Sequence, residues 1–91
     1  MQTFDVAHIR EQGVDLIIVF LDHSVQYKTD AERSQIAGAL QLCARSAGLA
    51  GTVVLVWQGG FFADRNFHPF FQSVNFEMLA ASINTRLTCD F

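Results

Sequence analysis

Ninety-one residues with 51% hydrophobic and 16% charged side chains and a net charge of −3 make one small α/β domain spanning 1–91. The six basic residues are scattered, which excludes the concentrated positive face of a nucleic-acid binder or a polybasic membrane patch. Charge is also scarce for so short a chain, against a typical ~25%, so apolar surface is expected to be left over after folding and to be covered by a partner.

Residues 4–12, "FDVAHIREQ", read as a short helix: Thr3 can cap it, Asp5 suits the first turn, and Gly13 can take the left-handed conformation after its end. A strand with Phe4, Val6 and His8 on one face is the alternative. Residues 15–21 form a strand. Their apolar run is continuous, not alternating, the habit of a strand covered on both faces of a parallel sheet.

Residues 29–47 are the clearest helix. "TDAE" is a capping box between Thr29 and Glu32, Ile36, Leu40, Cys43, Ala44 and Ala47 share one face, and Gly48 closes it. Residues 52–57, "TVVLVW", read as a second buried strand. Strand, helix and strand in that order predict a right-handed parallel βαβ core.

Residues 58–74 follow as a long Phe-rich loop, broken by Gly59-Gly60 and Pro69. Residues 76–87 read as a last helix with Asn75 as cap and an apolar stripe of Phe76, Leu79, Ala80, Ile83 and Leu87; residues 88–91 are expected to fray. The predicted order is α-β-α-β-α. Two hydrophobic parallel strands with open edges make a poor sheet, so completion of the sheet by a second copy, a homodimer or larger oligomer, is expected. A different protein partner is the weaker alternative.

In an open parallel sheet, ligands bind outside the carboxyl ends of the strands. That rule selects Asp22, His23 and Ser24 after the first strand and Gln58, Gly59 and Gly60 after the second, beside the N-terminus of the 29–47 helix, which favours an anion. As chemistry, His23 suits a general base with Asp22 as orienter, and His68 is a further catalytic candidate delivered by the loop. Against this, neighbours on an extended chain point apart, so Asp22 and His23 should diverge, and a polar turn is the plainer reading. The Gly59-Gly60 pair lacks the spacing of a dinucleotide or phosphate-binding loop.

Nothing in the spacing of His8, His23, His68 and Asp22 fixes a metal, and no cofactor motif is present. Five of nine phenylalanines, Phe61, Phe62, Phe67, Phe70 and Phe71, crowd one stretch; they are expected either to fold back as a lid or to form an interface. Cys43 on an apolar helix face and Cys89 near the tail are read as two reduced thiols of a cytoplasmic protein. No run approaches the ~20 apolar residues of a spanning helix, and "MQTFDVAHIREQG" lacks the basic start and apolar core of a secretory signal. The expectation is a self-associating binding or protein-interaction module. The alternative is a small enzyme or a ligand- or anion-binding protein with its site at the strand ends.

Overall fold

The computed structural model describes residues 2–11, 13–58, 60–62 and 76–89. Among the described residues, five strands, β1 (Gln2–Glu11), β2 (Val14–Phe20), β3 (Thr52–Trp57), β4 (Gly60–Phe62) and β5 (Thr85–Cys89), form one sheet in the order β4-β3-β2-β1-β5. β2 and β3 run parallel, while β1 is antiparallel to both β2 and β5, and β4 is antiparallel to β3. Between β2 and β3 lie a 3-10 turn (His23–Tyr27) and the long helix α1 (Asp30–Ser46); a short helix α2 (Phe76–Ala80) precedes β5.

This is a mixed sheet with one main helix, so the α-β-α-β-α class with three helices and a parallel core is overturned. Residues 4–11 are not a helix but most of β1, and residue 12 of the predicted helix lies outside the described residues. The residues alternate: Val6 is buried on the α1 side and Ala7 on the opposite side, a period of two that only a strand can use. Gly13 does take a positive φ, +80°, but it turns the tight β1–β2 hairpin, in which Glu11 faces Val14, and does not end a helix.

The 76–87 helix is likewise corrected. Only residues 76–80 are helical, and the chain then enters β5, where Leu87 and Cys89 are buried and Arg86 and Thr88 exposed. Residues 88–89 therefore do not fray. The predicted 58–74 loop begins with a strand, since residues 60–62 pair with β3 from Leu55 to Trp57; residues 63–75 lie outside the described residues.

Each face of the sheet carries its own apolar layer. Toward α1 lie Val6, Ile17, Val19, Leu55, Trp57 and Leu87 with Leu40 and Ala44 of the helix. On the other face, Ala7, Leu16, Ile18, Val54 and Val56 pack with Leu79 of α2. This double covering explains the unbroken apolar runs of β2 and β3. It also removes the argument for edge-to-edge dimerisation through those strands, because β1 and β4 already flank them.

Candidate functional site

The residues after β2 build a small polar turn. Asp22 is extended (φ −63°, ψ 146°) and its carboxylate accepts the Ser24 N–H at 3.2 Å, capping the 3-10 turn. Because the chain turns at once, the expected divergence of Asp22 and His23 does not occur: His23 Nδ1 lies 3.5 Å from Asp22 Oδ1. Both side chains are largely exposed, 61% for His23 and 82% for Asp22, where such a pair contributes little. Asp22 works here as the cap of the 3-10 turn.

Beside this turn a cleft of about 660 Å3 opens between β1, the end of β2, the 3-10 turn and α1. Its apolar lining is Phe4, Phe20, Leu21, Val25 and Ile36; Gln2, Thr3, Asp22, Ser24 and Lys28 supply polar groups. Two of the predicted ligand residues, Asp22 and Ser24, thus meet in a concave site, together with the N-terminal end of β1. Gln58 and Gly60 do not join them. They form the β3–β4 hairpin, where Gly60 faces Trp57 and a Cβ on Gly60 would stand 3.0 Å from the indole ring. His68 and Gly59 lie outside the described residues, as do Phe67, Phe70 and Phe71. Phe61 and Phe62 are half-buried in β4, Phe61 against the α2-side layer and Phe62 against the α1-side layer.

The N-terminus of α1 is occupied by its own acid. Thr29 Oγ1 accepts the Glu32 N–H at 3.1 Å, and the Glu32 carboxylate accepts the Thr29 N–H at 3.0 Å. The bond from the Thr29 backbone, with its hydroxyl and nearby Lys28 adding to it, holds the Glu32 carboxyl below its ordinary value of 4.5. Behind the cap, Arg33 ties the 3-10 turn to the helix. Its guanidinium donates to the carbonyls of Val25 (3.1 Å) and Gln26 (2.6 Å) and to Asp30 (3.1 Å), and it lies 5.0 Å over the Trp57 ring.

Two side-chain amides extend the sheet's hydrogen bonding where strands run out. Gln41 accepts the Val53 N–H and donates to the Gly51 carbonyl, each at 3.0 Å. Asn84 accepts the His8 N–H and donates to the His8 carbonyl, each at 2.9 Å. His8 itself reaches the Ala50 carbonyl through Nε2 at 2.8 Å, so that nitrogen carries a proton.

The expectation of two free thiols is corrected. Cys43 of α1 and Cys89 of β5 form a disulfide, with Cα atoms 5.8 Å apart. The separation of 46 residues hid the pairing in the sequence, and so did the assignment of Cys89 to a frayed tail. The β1 wall of the cleft, Gln2, Thr3 and Phe4, was hidden by a separate error, the reading of residues 4–12 as a helix. A hairpin turning at Gly13 in the observed register brings Phe4 to the level of Leu21, and that inference was open only to a reading of residues 4–12 as a strand. Among the described residues, no group of three or more His, Cys, Asp or Glu is placed to hold a metal ion, and no helix is long and apolar enough to cross a membrane. Comparison of the chain with protein families, with curated proteins and with solved structures gives no match.

Proposed function

We propose that this chain is a small binding module that holds an amphipathic small molecule in the cleft at the end of β2. The observation that supports this most is the lining itself, an apolar floor of Phe4, Phe20, Leu21 and Ile36 with Thr3, Asp22, Ser24 and Lys28 at its rim. A volume of about 660 Å3 falls in the range of known ligand clefts, roughly 300–1,000 Å3. Lys28 gives the site a cation for an acidic ligand group. The exposed Asp22–His23 pair offers no buried, oriented base, so binding is preferred to catalysis. Titration with the anionic dye anilinonaphthalene sulfonate tests the proposal. The amides of Thr3, Leu21, Ser24 and Lys28 should shift in NMR spectra, and Ser24→Tyr, an exposed position at the cleft, should abolish the effect. Shifts scattered over the sheet, or none, would sink it.

A second reading is self-association, with a homodimer as its simplest form. It is supported by the large apolar side chains that stay exposed, Tyr27, Leu42 and Met78, and by β5, whose outer edge has no strand beside it among the described residues. Light scattering across a concentration series tests it; a monomer throughout would refute it. A cytoplasmic location belongs with either reading only if the Cys43–Cys89 bond is transient, since persistent disulfides mark oxidising compartments.

A further inference from the structure

We propose that the Cys43–Cys89 pair is a reversible redox site, reduced by a dithiol, that sets how firmly one wall of the cleft is held. The inference rests on the cleft being the binding site. Its ground is connectivity. Cys89 faces Gln2 across the β1–β5 ladder, Thr88 faces Thr3 with their hydroxyls 3.0 Å apart, and Leu87 faces Phe4. Gln2, Thr3 and Phe4 are the β1 wall of the cleft, while Ile36 of α1 lies on the other side. Cys43 sits on α1 two turns beyond Ile36, so the disulfide joins the helix that carries one wall to the strand that supports the other.

The two cysteines differ in exposure. Cys89 is 1% exposed, whereas Cys43 is half-buried. A thiolate of the reductant therefore attacks Cys43 Sγ. The protein S–S bond breaks, Cys89 leaves as a thiolate and takes a proton, and a mixed disulfide remains on Cys43. The second thiol of the reductant, once deprotonated, attacks the reductant's own sulfur in that mixed disulfide. This closes the reductant's disulfide and expels Cys43, which is protonated in turn. Two electrons and two protons pass to the protein. The reduced Cys43 has a place for its proton, because Sγ lies 3.3 Å from the Thr88 carbonyl. β5 thus keeps a weak tie to α1 and stays in the sheet, with its covalent anchor gone.

The test follows amide exchange and dye binding in the oxidised protein, in protein treated with dithiothreitol, and in the Cys43→Ser/Cys89→Ser double variant. Reduction is expected to proceed in the folded protein. Exchange at residues 2–4 and 86–89 should rise roughly tenfold while that at Ile17–Val19 stays slow, and affinity for anilinonaphthalene sulfonate should fall by a comparable factor. A bond that resists dithiothreitol until the protein unfolds, a reduced state that unfolds outright, or unchanged exchange would each overturn the proposal. Faster exchange with unaltered dye affinity would overturn the link to the cleft. Absence of dye binding in every form would instead mark the failure of the cleft reading, and exchange alone would then decide the redox site.

Discussion

At Gly51 the backbone has φ +135°, and a Cβ would stand 2.7 Å from the Asp15 carbonyl oxygen, so Gly51→Ala meets both backbone strain and a clash with main chain. A loss of at least about 1–3 kcal/mol is expected in chemical denaturation. At Gly38, inside α1 and exposed, nothing lies within 4 Å of a new Cβ. The same substitution there should stabilise by about 0.5–1 kcal/mol, because alanine is the better helix former. Arg33 is a different kind of residue, 18% exposed and holding two carbonyls of the 3-10 turn against Trp57. Arg33→Ala should cost about 1–3 kcal/mol and shift Trp57 fluorescence to the red, and Arg33→Lys should recover little, since an ammonium lacks the planar fork. The roles of Gly51 and Arg33, like those of Gln41 and Asn84, were not legible in the sequence, because each depends on a neighbour brought in by the fold: Asp15 for Gly51, the turn carbonyls for Arg33, and strand ends for Gln41 and Asn84.

The elements divide by how local their signals are. α1 was readable because its cap, stripe and closing glycine lie within the segment itself, and Thr29, Glu32 and Gly48 do what their spacing predicts. β1 reads as a helix because Thr3, Asp5 and Gly13 mimic helix-end signals, and β5 because its apolar residues satisfy helical and strand spacing together. In residues 83–89 the stripe of Ile83 and Leu87 drew the eye, whereas the alternation of Thr85, Leu87 and Cys89 decides the structure once β1 offers an edge. Tertiary pairing thus overrode a local pattern. The cleft's lining shows the same split: Asp22 and Ser24 follow from the end of β2, but the opposite wall needs β1 as a strand. The α1 cap also makes a pH prediction. The folded state holds the Glu32 carboxyl below 4.5, so its contribution is complete above that value and is lost as pH falls through the depressed one. The thermal midpoints of the wild type and Glu32→Gln should therefore differ most near neutrality and converge in acid, when followed by circular dichroism.

For the molecule as a whole, the disulfide closes a separation of 46 residues, and its loss in Cys43→Ser/Cys89→Ser should cost about 2–5 kcal/mol in urea. In a chain of this size that is a large share of the total. The placement of β5 beside β1 has a further consequence, for synthesis. Thr3 and Thr88 touch although 85 residues separate them, whereas the β1–β2 hairpin closes across two residues. At ~5–20 residues per second, a nascent chain can fold its first hairpin and then wait for seconds with the other side of β1 bare. β5 must seal β1, and until β5 emerges the growing chain carries an open edge of the kind that recruits neighbouring polypeptides on the same messenger.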